Sequence, residues 1–112
     1  MLKKVAITGP ESTGKSWLAE KLAAHFNCNW VPEYAREYLI QLNKPYQLSD
    51  VEVIARVQMQ KIETASIQEK QLLIVDTEML VCSIWTEYVF GEIPESINKL
   101  TQNQQFNLYL LC

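Results

Sequence analysis

Short apolar runs alternate with longer segments of helical periodicity along this chain. The runs at residues 5–8, 30–31 and 72–75 are too short for helices and have the composition of strands buried on both faces. Alternation of strands and helices indicates an α/β fold with a parallel sheet. The pattern predicts strands at 5–8, 30–31, 72–76 and 106–111, and helices at 15–26, from 33 to about 42, from 49 to about 68, from about 80 to 90, and from 95 to about 104.

The sequence also predicts the apolar face of the first helix and the start of the third. In the first helix, Leu18, Leu22 and Phe26 repeat every four residues, and Trp17, Ala19 and Ala23 widen that face. The third helix should begin at a capping box formed by Ser49 and Glu52.

The apolar positions of the third helix include Met59, whose flexible side chain suits a core. In the fourth helix, Leu80, Ile84 and Tyr88 recur at helical spacing, and Gly91 is a natural residue for its C-terminal end.

The first apolar run leads directly into G-P-E-S-T-G-K-S at residues 9–16. Glycines at both ends let backbone N–H groups curl around a phosphate, and the following helix directs its partial positive charge at the same oxygens. Lys15 would supply a catalytic cation to the β- and γ-phosphates, and Ser16 a hydroxyl to Mg²⁺. The pattern is a P-loop, and it predicts nucleotide-binding residues Gly9, Glu11, Ser12, Thr13, Gly14, Lys15, Ser16 and Trp17.

An aspartate, Asp76, closes the third apolar run. Four apolar residues closed by an aspartate are typical of the Walker B strand that accompanies a P-loop. Asp76 would therefore lie near Mg²⁺, either holding a water on the metal or accepting the proton of an attacking hydroxyl. The sequence leaves both roles open.

Glu33 and Arg36 begin the helix that follows the second apolar run. Ligands of open α/β sheets bind outside the carboxyl ends of the strands, so this position places both residues beside the P-loop. The alternative is a solvated ion pair between Glu33 and Arg36 at a spacing of three residues.

Composition excludes several classes of function. The 112 residues suit one domain with one core, and a net charge of −3 without a basic stripe argues against nucleic acid as a partner. No apolar run is long enough for a membrane span, and the three cysteines lack C-x-x-C spacing. We therefore expect a cytoplasmic protein with reduced thiols and no metal–thiolate site.

Three motifs together resemble the ribosylnicotinamide kinase domain of NadR-type proteins, within the P-loop small-molecule kinases. They are G-P-E-S-T-G-K-S at 9–16, P-E-Y-A-R-E-Y at 32–38 and I-V-D-T-E at 74–78, and the match extends over nearly the whole chain. The resemblance implies a three-layer α/β/α P-loop NTPase fold with strand order 2-3-1-4-5. It also implies phosphoryl transfer from ATP to the ribose 5′-hydroxyl of ribosylnicotinamide, giving nicotinamide mononucleotide.

In such kinases a lid carrying arginines and a fifth strand follow the fourth strand, so this resemblance leads us to expect that residues 1–112 are the N-terminal core of a longer domain. We expect this chain to bind ATP but to transfer phosphate weakly, because lid arginines stabilise the transition state. The last run, 106–112, would be an uncovered edge through which the chain associates with itself.

The leading functional hypothesis is an ATP- and Mg²⁺-dependent kinase of a small nucleoside, with a role in NAD biosynthesis. Glu33 and Arg36 would orient the substrate, and Tyr34 would offer an aromatic face to its cationic ring. The competing hypothesis is a P-loop regulatory module that senses or hydrolyses ATP without phosphorylating a small molecule.

Overall fold

A computed structural model describes residues 2–10 and 13–112 of the chain. Five helices and four strands alternate through the described residues. In chain order they are β1 (Lys3–Thr8), α1 (Lys15–Phe26), β2 (Trp30–Val31), α2 (Tyr34–Leu42), α3 (Leu48–Gln68), β3 (Leu72–Asp76), α4 (Met79–Phe90), α5 (Glu95–Asn103) and β4 (Leu108–Leu111).

The strands form one parallel sheet in the order β2-β3-β1-β4. β1 lies inside the sheet and pairs with β3 and β4, so the loop after β1 starts between two neighbouring strand ends. The predicted α/β class, the parallel sheet and the implied order of the first four strands are confirmed. Within the described residues β4 is an edge strand, as predicted.

Helices cover both faces of the sheet. Ile7 and Ile74 point to one face and pack with Ala19 and Ala23 of α1. Leu73 and Val75 point to the other face, where Ile62 of α3 covers them together with Val31. Because successive strand residues face opposite ways, the fully apolar β3 fills both layers.

A third core cluster joins α3, α4 and α5 beside the sheet. Val51, Ala55 and Met59 of α3 pack there with Met79 and Cys82 at the start of α4, and Ile97 of α5 closes the cluster. Met59 is therefore part of the core, as predicted. Each of the fully buried side chains of Val51, Met79 and Ile97 contributes about 1.5–3 kcal/mol to stability through removal from water.

The apolar positions whose spacing predicted α4 do not form its packed face. Leu80, Ile84 and Tyr88 are 44%, 60% and 89% exposed, and α4 instead buries Met79, Cys82, Ser83 and Thr86. The helix is apolar on most of its circumference, so periodicity could not tell which apolar stripe faces the core. On this buried face the Ser83 hydroxyl lies 2.7 Å from the hydroxyl of Thr101 in α5.

Two predictions need correction. In α1 the side chains of Ala19 and Ala23 are buried against the sheet, while Trp17 and Phe26 are 64% and 56% exposed. The capping box of α3 is formed by Gln47 and Asp50, because the helix begins at Leu48, one residue before the predicted cap.

Candidate functional site

The carboxyl ends of β1, β2 and β3 bring the predicted site residues together. β1 ends at Thr8 and continues into Gly9, whose φ of 136° lies in the region that favours glycine. A Cβ on Gly9 would meet the carbonyl oxygen of Cys112 at 2.7 Å. Glycine is therefore required here both by the turn and by the nearby backbone of Cys112, which follows β4.

The phosphate loop is described at both of its ends. The Thr13 hydroxyl donates to the Pro10 carbonyl at 2.8 Å, and Gly14 caps α1 with a φ of 86°. Glu11 and Ser12, also predicted to bind nucleotide, lie outside the described residues. Trp17 occupies the exposed side of the first turn of α1.

The Lys15 side chain extends from the start of α1 back to the first residue of this loop. Its Nζ donates to the Gly9 carbonyl at 2.7 Å and lies 4.0 Å from Glu33 Oε2, and the residue is only 5% exposed. A buried ammonium requires partners of this kind because water cannot solvate it. The cation of the phosphate loop is therefore held between the carbonyl of Gly9 and the carboxylate of Glu33.

Ser16 and Asp76 form the second polar contact at this edge. The Ser16 hydroxyl donates to Asp76 Oδ2 at 2.5 Å, and Asp76 is fully buried at the end of β3. Burial raises the pKa of the Asp76 carboxyl and the Glu33 charge acts in the same direction, while the Ser16 hydrogen bond and Lys15 oppose the rise. A hydroxyl and a carboxylate side by side fit Mg²⁺, which prefers oxygen ligands and takes few of them from the protein.

Thr77 and Gln58 also belong to the site, and sequence reasoning assigned neither. The Thr77 hydroxyl donates to Glu33 Oε2 at 2.7 Å and lies 3.3 Å from Asp76 Oδ1. Gln58 accepts the Tyr34 backbone N–H at 2.9 Å and donates to the carbonyls of Asp76 and Thr77 at 3.3 and 3.2 Å. Gln58 therefore ties the start of α2 to the end of β3.

The sequence contains a signal for both Thr77 and Gln58. Thr77 lies in the motif at 74–78, and Gln58 falls four residues after Ile54 and four before Ile62, on the buried stripe of α3. A glutamine in that position has to find polar partners inside the protein. Its partners, however, come from segments distant in sequence.

Glu78 is a third residue whose role sequence reasoning missed. Its carboxylate is fully buried and accepts hydrogen bonds from the Thr8 hydroxyl at 2.8 Å, the Leu80 backbone N–H at 2.7 Å and the Gln104 amide at 2.8 Å. Glu78 also caps α4. One carboxylate thus joins the end of β1 to α4 and to the segment after α5.

A cavity of about 990 Å³ opens beside these polar groups, between α2 and α4. Glu33 and Arg36 line it next to Gly9, and the exposed stripe of α4 forms the opposite wall. The other lining residues are mostly apolar or aromatic: Thr8, Pro10, Ala35, Leu39, Ile40, Tyr46, Leu80, Val81, Ile84, Trp85, Tyr88 and Leu111.

The structure brings together most of the predicted site residues. Lys15, Ser16 and Asp76 meet at the phosphate loop, and the ion pair of Glu33 is with Lys15 and not with Arg36 among the described residues. Tyr34 is not among the residues that line the cavity; its ring packs on Tyr38 and under the Lys61 ammonium, 5.4 Å away.

Two kinds of feature are missing from the part of the chain that the structure describes. Among residues 2–10 and 13–112, no group of three or more His, Cys, Asp or Glu side chains could hold a metal ion by itself. No described helix combines the length and the apolar character needed to cross a membrane.

Known proteins are similar in sequence to this chain. A family model described as "AAA domain" matches residues 4–112. The chain is 30% identical over 114 residues to the trifunctional NAD biosynthesis/regulator protein NadR of Salmonella typhimurium, and equally to that of Escherichia coli. The matches cover 98% of this chain but 28% of each relative, so the chain spans less than a third of the relatives' length.

Solved structures show the same fold. A crystal structure of NadR in complex with NR matches with a TM-score of 0.84 at 23% identity, covering 97% of this chain and 33% of that one. NadR in complex with NAD and AMP-PNP gives 0.80 at 24% identity with the same coverage. Thymidylate kinase from Ehrlichia chaffeensis gives 0.69 at 17% identity, covering 98% of this chain and 70% of that one.

These findings confirm the predicted resemblance to NadR-type proteins and the P-loop NTPase fold. Because the family model matches nearly the whole length, the chain belongs to the AAA domain family, with a P-loop kinase-like fold.

Proposed function

We propose that this domain takes part in ATP- and Mg²⁺-dependent phosphoryl transfer to a small nucleoside, with ribosylnicotinamide as the first candidate acceptor. The observation that carries this proposal is the cavity between α2 and α4, which is lined by Gly9 of the phosphate loop and by Glu33. Glu33 in turn lies 4.0 Å from the Lys15 ammonium. The phosphate loop alone would serve any nucleotide-binding protein. The aromatic-lined cavity beside the phosphate loop supplies a place for an acceptor.

The chain's own residues divide the work between two ligands. The loop amides, Lys15 and the N-terminus of α1 bind the nucleotide phosphates. Ser16 and Asp76 would hold Mg²⁺, which neutralises charge on the transferred phosphoryl group. Glu33 and Arg36 orient the sugar, while the apolar wall of α4 takes the base and excludes water.

The proposed reaction moves one proton and one phosphoryl group. The acceptor hydroxyl loses its proton, its oxygen forms a bond to the γ-phosphorus, and the bond to the bridging oxygen of ADP breaks. Asp76 has two roles compatible with its position: accepting that proton, or holding a water on the metal. Burial raises its pKa, which makes the carboxylate a stronger base than an exposed aspartate.

NAD biosynthesis is the setting suggested by the relatives' names. One solved NadR structure holds NR and another holds NAD and AMP-PNP. These ligands support a nucleoside acceptor and an adenine nucleotide donor for this domain. The expectation that the 112 residues alone transfer phosphate weakly stays a prediction, which a product assay measures.

The test combines calorimetry with that product assay. ATP·Mg²⁺ and ribosylnicotinamide should each bind, and nicotinamide mononucleotide should form only when both are present. GTP and other nucleosides serve as competing ligands, because a ligand that binds the native state raises apparent stability. ATP hydrolysis that is independent of every nucleoside would favour the regulatory alternative, and stabilisation by GTP alone would contradict the proposal.

Glu33→Ala separates the two halves of the site. We expect ribosylnicotinamide affinity to fall by about ten- to a hundredfold, as for loss of a hydrogen bond to a charged group, with ATP affinity nearly unchanged. Glu37→Ala, one turn further along α2 and exposed, is the matched control. Equal losses for both ligands would contradict the assignment of Glu33 to the acceptor.

A further inference from the structure

Thr77 is the most constrained residue of the site. Its φ is 75°, a left-handed conformation that β-branched residues rarely adopt, and it is only 5% exposed. Its backbone N–H donates to the Ile7 carbonyl at 3.0 Å, and its own carbonyl accepts from Gln58. Strained residues persist where the surroundings fix them, and they concentrate at functional sites.

The Thr77 hydroxyl lies between two site carboxylates. It has one proton to donate, and the distance to Glu33 Oε2 is 2.7 Å, compared with 3.3 Å to Asp76 Oδ1. The shorter contact identifies Glu33 as its principal partner. Within the described residues, the other Glu33 oxygen has no hydrogen-bond partner, and Glu33 lines the acceptor cavity.

Lys15 shares the same oxygen. Its Nζ lies 4.0 Å from Glu33 Oε2, in addition to the hydrogen bond from Thr77. Nucleotide phosphates carry more charge than a single carboxylate, so they attract Lys15 away from Glu33 when they bind. Among the contacts of the described residues, Thr77 is then the group that still holds the Glu33 carboxylate.

We propose that Thr77 is a positioning residue that keeps Glu33 directed at the acceptor once the nucleotide has taken Lys15. This inference rests on the proposed function. It makes Thr77 matter more in the nucleotide-bound protein than in the free protein. It also couples the two ligands, because binding of one changes the affinity for the other by a reciprocal factor.

Thr77→Val tests this role without altering the backbone strain. Valine is also β-branched and has the same shape, but it lacks the hydroxyl. We expect affinity for ribosylnicotinamide to fall by about tenfold with AMP-PNP·Mg²⁺ bound and by only about threefold without it. Affinity for AMP-PNP·Mg²⁺ in the absence of nucleoside should change by less than about twofold, because Ser16 and Lys15 keep their contacts.

Two matched variants complete the experiment. Thr77→Ser retains the hydroxyl and should restore most of the nucleoside affinity. Thr86→Val removes a buried threonine hydroxyl that donates to the Ser83 carbonyl in α4, its one hydrogen bond among the described residues, and it should leave both affinities unchanged. Thermal unfolding of each variant identifies any loss that comes from stability alone.

The outcomes are separable. Equal loss with and without AMP-PNP, or the same loss in Thr77→Ser as in Thr77→Val, would overturn the role of Thr77. The proposed acceptor would survive that result if the unsubstituted chain binds ribosylnicotinamide. Failure of the unsubstituted chain to bind ribosylnicotinamide would overturn both proposals.

Discussion

The site has two regions: the phosphate end, formed by the phosphate loop and the neighbouring end of β3, and the cavity wall formed by α4. Their side chains differ in the contacts that they make within the protein. At the phosphate end, Lys15, Asp76 and Thr77 are buried, and each makes hydrogen bonds within the protein. On α4, Ile84 and Tyr88 are exposed and face open space across the cavity. The first region is therefore organised by contacts within the protein, whereas the second leaves apolar side chains without such contacts.

For the proposed reaction, the phosphate end would supply charged groups already in position, and the α4 wall would supply binding energy. Charged groups have to be placed in advance, because reorganising them during the reaction would cost part of the electrostatic stabilisation. An apolar wall gains from ligand burial without such placement, at about 25 cal/mol per Å². Substitutions in the two regions should therefore have different signatures.

Lys15→Ala should have the largest effect, and it should affect the phosphate end alone. Loss of the buried cation should reduce ATP affinity by about a hundredfold or more, the scale of truncating one partner of a buried charged contact. Ribosylnicotinamide affinity without nucleotide should change little. Calorimetry measures both, with Lys21→Ala on the exposed side of α1 as the control. Retention of ATP affinity in a folded variant would contradict the site.

Glu78→Ala should damage both regions, because Glu78 joins β1 to α4. The substitution leaves the Thr8 hydroxyl, the Leu80 N–H and the Gln104 amide without their acceptor. We expect a loss of about 3 kcal/mol in the free energy of unfolding, seen as a fall of about 10 °C or more in Tm. Glu87→Ala, exposed on the same helix, should stay within about 0.5 kcal/mol of the parent.

Tyr88→Ser should weaken the apolar wall without destabilising the fold. Tyr88 is 89% exposed, so stability should change by less than about 0.5 kcal/mol. Ribosylnicotinamide affinity should fall by about three- to tenfold through loss of an aromatic contact, and ATP affinity should not. Ile67→Ser, at an 85% exposed position on α3, controls for general surface effects. An ATP effect as large as the nucleoside effect would contradict the division between the two regions.

Leu111→Lys tests the predicted self-association through 106–112. β4 pairs with β1 on one side only among the described strands, and Leu111 is 80% exposed on it. An uncovered apolar edge favours pairing with another chain, and a lysine opposes it. Light scattering should show association of the parent chain and less association of the variant. A parent chain that stays monomeric at high concentration would contradict the prediction.

The smallest expected effect is the pH dependence of stability that comes from the Cys82 thiol. This thiol is buried in α4, so its titration reports on the packing of that helix. Burial raises its pKa to about 12, and the nearby charges of Glu78 and Glu33 act in the same direction. An unfolded thiol ionises from a pKa of 9.0, so the native state keeps a proton that the unfolded state has lost. Stability therefore falls as the pH rises from the unfolded pKa towards the folded one, by about 1 kcal/mol between about pH 8 and pH 10.

Denaturant unfolding at the two pH values measures this slope, and Cys82→Ala should reduce it. At about pH 8 Cys82 should also resist alkylation in the folded protein, since reaction requires the thiolate. Cys28 and Cys112, which are partly exposed, serve as internal controls. Rapid alkylation of Cys82 would show that α4 is not packed as described.

The sequence was sufficient for the parts of the molecule set by local rules. The glycines and lysine at 9–16, the short apolar strands and the aspartate at 76 each specify a local geometry, and parallel strands then collect their ends at one edge. Lys15, Ser16 and Asp76 could be brought together from this reasoning alone. Glu33 followed because a short strand before a proline places the next residues at the same edge.

The rest depends on contacts between distant segments. Periodicity identified an apolar stripe on α4, but it could not tell a core from a cavity wall, because both need apolar side chains. Thr77 and Gln58 depend on hydrogen bonds across 44 and 24 residues of sequence, respectively, which no local pattern specifies. Tyr34 was predicted to offer its ring to the substrate, and the structure places that ring beside Lys61 and outside the lining of the cavity.

The contact between Gly9 and Cys112 has a consequence for how this chain could diverge. A relative that lost nucleotide binding would be free to replace Lys15, yet a side chain at position 9 would still collide with the Cys112 carbonyl at 2.7 Å. A Cβ on Gly14 would meet no described atom within 4 Å, and the φ of 86° at that position could pass to asparagine. In an inactive descendant, the first glycine should therefore outlast the second, and a surviving Gly9 by itself would be poor evidence of nucleotide binding.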